Sequence, residues 1–281
     1  MSKFKWVISC IKPLVSRFPS VLQLYRIIRD YIYFMGKPVL TPWGFKLSGN
    51  KLMAQGSFEP EETEIVRKIL GDVDVLINIG ANIGYYCCHA LDMKKSVIAF
   101  EPMHQNLNYL CRNIKINDFN GIEIYPVALS NKPGVLDIYG GGTGASILKG
   151  WAGVSEDHVT CVPSNTLDNI LGDKLAGEKI FILVDIEGAE KWMLEGAKKT
   201  LARKNKPIWM VEITTTENQP HGNQINPNLK ETFQLFFKHG YKAYGADKEM
   251  KQITMKDVDL VSSGKLNFNT YNFIFCDSRV V

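Results

Sequence analysis

The 281-residue sequence predicts an α/β fold in which helices cover both faces of a mostly parallel β-sheet. Two observations lead to this prediction. From about residue 75 onward, short apolar segments alternate with amphipathic segments of helical periodicity. The composition, with 45% hydrophobic and 22% charged residues, is typical of a folded globular protein. The length fits one large domain or two small ones, either of which can bury an enzyme-sized core.

The first 55 residues are predicted to form a basic amphipathic extension, followed by a main domain at 56–281. Residues 1–58 contain nine Lys or Arg and a single acid, Asp30, so this segment has a charge of +8. Because the whole chain has a net charge of +4, the remainder has −4, which argues against nucleic-acid binding by the main domain. The arm at 1–35 could contact an anionic membrane, or it could pack on the main domain or on a second subunit.

A cytoplasmic protein is expected, with the inner face of the membrane as an alternative location. The sequence has no uninterrupted apolar run of bilayer-spanning length and no recognisable cleavage signal. Its six cysteines include no CxxC pair and no spacing typical of a zinc site. We therefore expect reduced thiols and no metal centre, with a small molecule or carbohydrate as the partner.

The elements of the main domain follow from these patterns in chain order. Strands of the main sheet are expected at 75–79, 96–100, 122–127, 179–184 and 208–213. Helices are expected at about 59–70, 84–93, 102–117, 190–203 and 229–239. Peripheral strands at 135–139 and 158–162 flank a glycine cluster, and antiparallel strands at 241–244, 252–255 and 271–275 close the sheet.

A glycine loop connects the first strand to the following helix, in the segment Asn-Ile-Gly-Ala-Asn-Ile-Gly at 78–84. Gly80 and Gly84 carry no Cβ, so a ligand can approach the backbone, and the backbone amides of such a loop can face that ligand. A dinucleotide fingerprint would need Gly-x-Gly-x-x-Gly, but Asn82 occupies the central position. An NAD(P)-linked oxidoreductase is therefore the weaker alternative.

Glu101 ends the second strand 21 residues after Gly80 and is followed by Pro102. An acid at this distance can accept hydrogen bonds from ribose hydroxyls in this class of fold. Alternatively, Glu101 only caps the helix that Pro102 begins. Because the acid, the glycine loop and the strand order agree, we predict a cofactor that contains adenosine. The predicted cofactor-binding residues are Asn78, Gly80, Asn82, Gly84, Glu101 and Pro102.

Acidic residues also follow the fourth and fifth strands. Asp185 and Glu187 come directly after the fourth strand, and Glu212 ends the fifth. Such positions line the crevice where ligands bind, and clustered carboxylates raise one another's pKa, which suits a general base. His221, in the polar loop that follows, is the best-placed imidazole for the same work. These four residues are the predicted catalytic candidates, whereas Glu190 fits a first-turn acid of the next helix.

Residues 74–245 resemble the FkbM family of S-adenosylmethionine-dependent methyltransferases. Seven signatures in the same order carry the resemblance: INIGANIGYY (77–86), FEP (100–102), VALS (127–130), the glycine cluster that ends in Ala145-Ser146, TLD (166–168), DIEGAE (185–190) and VEI (211–213). The sequence departs from the family at Asn78, where Asp is common, and at Leu183, where Lys is frequent.

The resemblance implies a class I methyltransferase (Rossmann-like) fold with a seven-stranded sheet. It also implies S-adenosylmethionine above Gly80 to Gly84, its ribose bound by Glu101, and O-methylation of a sugar, glycan or glycolipid-type hydroxyl. Asp168 and residues 185–190 would lie near cofactor and acceptor. Loss of the negative charge at Asn78 predicts weaker binding of the cationic cofactor. A catalytically silent relative that binds a membrane or a partner is the other alternative.

Overall fold

The computed structural model describes residues 36–141, 144–154 and 156–277. The predicted amphipathic arm at 1–35 lies outside the described residues. Within them, no helix has both the length and the apolarity needed to cross a bilayer.

The described residues form strands and helices that largely follow the predicted order. The strands are β1 (Val39–Leu40), β2 (Lys46–Leu47), β3 (Val75–Ile79), β4 (Ser96–Phe100), β5 (Ile122–Tyr125), β6 (Ala128–Leu129), β7 (Gly134–Tyr139), β8 (Val159–Asn165), β9 (Ile180–Val184), β10 (Ile208–Glu212), β11 (Lys242–Gly245), β12 (Gln252–Ile253) and β13 (Asn272–Cys276). The helices are α1 (Lys51–Ala54), α2 (Pro60–Gly71), α3 (Tyr85–Asp92), α4 (His104–Lys115), α5 (Leu167–Leu171), α6 (Glu190–Glu195), α7 (Lys198–Leu201), α8 (Leu229–Lys238) and α9 (Met255–Ser262).

A large sheet with the strand order β12-β11-β13-β10-β9-β3-β4-β5 forms the centre. The five strands from β10 to β5 are parallel, and β13 runs antiparallel between β10 and β11. The predicted mostly parallel sheet is therefore confirmed. The predicted count of seven strands is wrong, because the two-residue strand β12 pairs with β11 and adds an eighth strand at the edge.

The main sheet is buried on both faces, as expected of parallel strands. Successive residues of a strand point to opposite sides, so Leu76 packs in one hydrophobic core and Ile77 in the other. The core on the Leu76 side includes residues of helices α2, α3 and α4, and the core on the Ile77 side includes residues of α5 to α9. Phe45 and Met53 from the segment before α2 are also buried in the first of these cores.

Two predicted elements differ from the structure. The single helix expected at 190–203 is divided into α6 and α7, because Gly196 packs against the backbone of Ser130, where a Cβ would come within 2.1 Å of the carbonyl oxygen. The strand expected at 252–255 ends at Ile253, since Thr254 begins helix α9 through a capping box with Asp257.

A second sheet, with the order β6-β8-β7, carries the chain between β5 and α5. It has its own small hydrophobic core, which includes Ala128, Ile138 and Val162 together with Met103 from the segment after β4. This contact places the second sheet beside the carboxyl end of β4, where it forms one wall of the candidate site.

Candidate active site

A cleft opens at the carboxyl ends of β3, β4 and β9. The strand order reverses here, because β4 follows β3 on one side while β9 lies on the other, and ligands of open α/β sheets bind at such a point. The cleft is lined by the glycine loop, the end of β4, the second sheet and the turn after β9. Of the predicted site residues it includes Gly80, Asn82, Glu101, Pro102, Asp185 and Glu187.

The two glycines of the loop are required by close contacts. Gly80 has a φ of +83°, and a Cβ at this position would lie 1.8 Å from the carbonyl oxygen of Asp185. Gly84 also has a φ of +83°, and its Cβ would lie 2.4 Å from Leu110 of α4. Because Gly80 has no side chain, the ends of β3 and β9 can approach each other, and because Gly84 has none, α4 can pack on the start of α3.

The expectation that the loop amides face a ligand is wrong for four of them. The amides of Gly80 and Ala81 donate to the carbonyl of Phe100 at 3.0 and 2.9 Å. The amide of Asn82 donates to Glu101 Oε2 at 2.8 Å, and that of Gly84 donates to the carbonyl of Ala81. These bonds fix the loop to the end of β4. The loop therefore forms a rigid floor of the cleft, which a ligand can approach closely.

Glu101 holds this floor and also faces the cleft. Its Oε1 accepts from the Met103 amide at 2.8 Å and from Asn106 Nδ2 at 3.3 Å, while Oε2 accepts from the Asn82 amide. The residue is only 3% exposed, and burial raises the pKa of its carboxyl, although these hydrogen bonds lower it in part. Glu101 thus bonds the start of the next helical segment, and because it also lines the cleft, its binding of ribose stays a prediction.

The acceptors around Glu101 fit a ribose. A carboxylate oxygen can accept two hydrogen bonds, and the contacts to Oε2 leave room for another donor. Asn82 Oδ1 is buried and has no hydrogen-bond partner among the described residues. A buried acceptor without a donor is costly unless a ligand supplies one. Two hydroxyls on adjacent ribose carbons would satisfy both acceptors.

The wall beyond Glu101 is apolar and fits a flat base. Met103, Ala128, Ile138 and Ile147 line this side of the cleft, from the segment after β4, the second sheet and the segment that follows β7. Cofactor sites typically combine such an apolar surface with a few polar groups that fix orientation. The residues present therefore fit S-adenosylmethionine, with adenine on this wall and ribose at Glu101.

Asn78 lies below the loop. It is 3% exposed, and its Nδ2 donates to Cys87 Sγ on α3 at 3.5 Å. It is not among the residues that line the cleft. The contact with Cys87 belongs to packing of α3 on β3, and the predicted role of Asn78 in cofactor binding stays a prediction.

Asp185 and Glu212 bring negative charge to neighbouring strand ends. The Asp185 side chain keeps an exposed surface inside the open cleft, but protein atoms surround its other sides. Its pKa is raised, first by this loss of surrounding water and then by the nearby Glu187 carboxylate. Burial and the charge of Asp185 raise the pKa of Glu212 in the same way. The clustering predicted for these acids is therefore present.

Glu187 is held by Ser146, from the glycine-cluster signature, and by Trp151, which the sequence did not identify. Its backbone adopts a positive φ of 54°, Trp151 Nε1 donates to Glu187 Oε2 at 2.6 Å, and Ser146 Oγ donates to its carbonyl oxygen at 2.5 Å. The Trp151 ring packs so closely that a Cβ on Gly188 would come within 2.6 Å of it. Burial raises the pKa of the Glu187 carboxyl, and the Trp151 bond partly offsets this.

Two predicted residues are placed differently. His221 is exposed in the loop between β10 and α8 and does not line the cleft. Asp168 does not lie in the cleft either, which corrects the position that the resemblance implied. Its carboxylate instead accepts from the amides of Lys199 and Thr200 at 2.8 and 2.9 Å, so it caps helix α7.

Glu59 is a further acid that sequence reasoning missed. It precedes α2, is half-buried, and its pKa is raised to about 7, mainly by burial. Its charge acts on both Asp185 and Glu212. The only sequence signal was its place before Pro60, which is equally typical of an ordinary helix start.

Comparison with known proteins identifies the family. The model of the methyltransferase FkbM domain matches residues 78–243, which is 166 of the 281 residues. No curated protein matches the chain significantly.

Solved structures show remote similarity. A precorrin-6y C5,15-methyltransferase from Geobacter metallireducens is 13% identical over 71% of this chain and 78% of that chain, with a TM-score of 0.41. An rRNA methylase from Streptococcus thermophilus is 11% identical over 76% and 94%, with a TM-score of 0.41. A SAM-dependent methyltransferase from Aquifex aeolicus is 14% identical over 69% and 86%, with a TM-score of 0.37.

The family match decides between the alternatives that the sequence left open for the cofactor. S-adenosylmethionine is the cofactor, and the NAD(P)-linked oxidoreductase has no support. The glycine loop, the acid at the end of β4 and the order of the parallel strands agree with this result. The chain therefore belongs to the FkbM family and is an S-adenosylmethionine-dependent methyltransferase of the class I fold.

Proposed function

We propose that this methyltransferase methylates a hydroxyl oxygen of a sugar, glycan or glycolipid-type acceptor. The observation that carries the proposal is the pair of acids after β9, Asp185 and Glu187, which line the cleft beside the glycine loop. Carboxylates accept hydrogen bonds from hydroxyls, and a sugar presents several hydroxyls at once. The family resemblance points to the same class of acceptor.

The protein has two tasks in this reaction. S-adenosylmethionine supplies a methyl group that is already activated by its sulfonium. The chain must orient the acceptor oxygen and take up its proton. Asp185 and Glu187 suit these tasks because both line the cleft next to Gly80. Their raised pKa values make them better proton acceptors near neutral pH than an ordinary carboxylate.

Trp151 and Glu212 support this arrangement. The Trp151 indole binds one oxygen of Glu187 and leaves the other for an acceptor hydroxyl. Glu212 lies one strand further along the sheet, at the end of β10, where burial and the charge of Asp185 raise the pKa of its carboxyl. His221, in its exposed loop, is the remaining candidate base.

The proposal is tested with S-adenosylmethionine labelled in the methyl group and a panel of monosaccharides, oligosaccharides and glycolipids. We expect a labelled methyl ether, identified by mass spectrometry and NMR. Asp185→Asn and Glu187→Gln should each lower kcat at least tenfold while they keep affinity for S-adenosylhomocysteine. Glu178→Gln is the matched control, since this exposed acid lies at the opposite end of β9.

Three outcomes would contradict the proposal. A methyl group found on nitrogen or carbon would exclude O-methylation by this chain. Full activity in both the Asp185 and the Glu187 variant would remove their proposed roles. Retained cofactor affinity without transfer to any hydroxyl acceptor would favour the catalytically silent alternative.

Membrane contact through residues 1–35 stays a prediction, because these residues lie outside the described ones. Vesicles that contain anionic lipid should sediment the full chain and not residues 56–281, and salt should weaken the contact. Equal sedimentation of the two proteins would refute it.

A further inference from the structure

Glu59 belongs to a segment that is docked on the helix after the glycine loop. The Phe58 ring packs edge-on against Tyr85, with ring centroids 5.8 Å apart. The Thr63 hydroxyl lies 3.2 Å from the Tyr85 hydroxyl. Tyr85 is the first residue of α3 and follows Gly84 directly. These contacts bring the start of α2 to the first turn of α3, next to the loop that forms the cofactor floor.

The Glu59 side chain does not cap its own helix, α2. A residue before a helix normally caps the first free amides, but Glu59 makes no such bond. Its backbone has φ 40° and ψ 60°, a left-handed conformation that is uncommon for residues with a side chain. The carboxylate instead accepts a hydrogen bond from the Tyr86 hydroxyl at 3.2 Å. The side chain is thus turned toward α3, whereas the Glu59 carbonyl accepts a hydrogen bond from the Thr63 amide of its own helix.

The charge of Glu59 adds to that of the cleft. Glu59 is one of the carboxylates whose charge raises the pKa of Asp185 at the end of β9. Its own pKa of about 7 shows that burial costs the charged form a great deal. The described residues offer Glu59 a neutral hydroxyl and further acids, and a cationic group from a ligand would compensate its charge.

The cofactor carries such a group at its far end. With adenine on the apolar wall and ribose at Glu101, the rest of the cofactor extends over Gly80 and Asp185, away from the wall. Its end carries an α-ammonium. We propose that Glu59 binds this ammonium and that Tyr86 is the positioning residue that holds the Glu59 carboxylate toward it. The inference rests on the proposed placement of the cofactor, and it assigns a binding residue outside the family match at 78–243.

The test separates the ammonium from the other parts of the cofactor. Calorimetry measures the affinity of the full chain for S-adenosylhomocysteine, for its deaminated analogue and for 5′-methylthioadenosine, which lacks the amino-acid part. Glu59→Gln should weaken S-adenosylhomocysteine binding about tenfold or more. It should change the affinity for the other two ligands less than twofold. Tyr86→Phe should show the same pattern with a smaller loss.

Glu64→Gln is the matched control, because Glu64 is an exposed acid on the same helix. It should leave all three affinities unchanged, and thermal unfolding reports whether each variant is folded. Equal losses for all three ligands, or no loss for S-adenosylhomocysteine, would overturn the inference. If the wild-type chain binds none of these ligands, the proposed function fails as well.

Discussion

Replacement of Glu101 by Gln should perturb both the loop and the ligand, and the structure gives the size of each effect. Gln keeps one acceptor oxygen and turns an amide NH2 toward the other donor. Either the Asn82 amide or the Met103 amide then loses its acceptor. Hydrogen bonds to charged groups contribute about 1.5–3 kcal/mol each, so we expect the free energy of unfolding to fall by about 2–3 kcal/mol.

Cofactor affinity should fall for a separate reason. If Glu101 accepts one ribose hydroxyl, its replacement removes another charged hydrogen bond of about 1.5–3 kcal/mol, which corresponds to a roughly 10- to 100-fold weaker Kd. A double cycle isolates this contribution from the damage to the loop. Calorimetry compares 5′-methylthioadenosine with its 2′,3′-dideoxy analogue in the wild-type chain and in Glu101→Gln.

The coupling energy between Glu101 and the ribose hydroxyls should be at least about 1.5 kcal/mol, because the dideoxy analogue lacks the hydroxyls that Glu101 would bind. Glu123→Gln, an exposed acid on the neighbouring strand β5, should show no coupling. If removal of the hydroxyls costs the same in the wild-type chain and in Glu101→Gln, Glu101 only holds the loop and the ribose assignment is refuted.

Two further predictions concern stability. Burial, and to a smaller extent the charge of Arg67, lowers the pKa of His89 to about 3 in the native chain. Between pH 6.5 and 3, His89 is therefore protonated in the unfolded chain but not in the native chain. Stability is therefore lost as the pH falls, by about 2 kcal/mol between pH 7 and 5, and His89→Phe should remove this loss in urea unfolding, whereas the exposed His104→Gln should not. Gly80→Ala should cost more than about 4 kcal/mol, because its Cβ would meet the Asp185 carbonyl oxygen, whereas Gly44→Ala, with positive φ and open space, should cost only about 1 kcal/mol. A cost for Gly80→Ala equal to that for Gly44→Ala would show that backbone conformation alone matters there.

Much of the fold could be predicted because its central strands are mostly apolar and are buried along their whole length. Strand β3 is buried at every position, and the same holds for β9 and β13. Such strands must lie in the middle of a covered sheet, and glycine or acid at their ends marks the ligand edge. The residue pattern also predicts the short edge strand β12, within the segment 252–255, whereas the count of seven strands comes with the family resemblance.

The finer structure of the site depended on contacts that are distant in sequence. The loop amides looked free because their partners, Phe100 and Glu101, lie on another strand. Trp151 is nearly fully buried against the turn after β9, yet its segment carries no periodicity that would indicate a contact with Glu187. Asp168 resembled a site residue by motif alone, and only the fold shows that it caps α7.

The acids in and around the cleft have a common electrostatic effect on the cofactor. The charge of Glu59 raises the pKa of both Asp185 and Glu212, and the charge of Asp185 raises that of Glu212, so the charged forms of these acids oppose each other in the absence of a cation. A ligand with a sulfonium and an ammonium relieves this repulsion, whereas the product of methyl transfer has lost the sulfonium charge. The same carboxylates should therefore bind the positively charged cofactor more tightly than the product, so the product is readily replaced by a new cofactor molecule after methyl transfer.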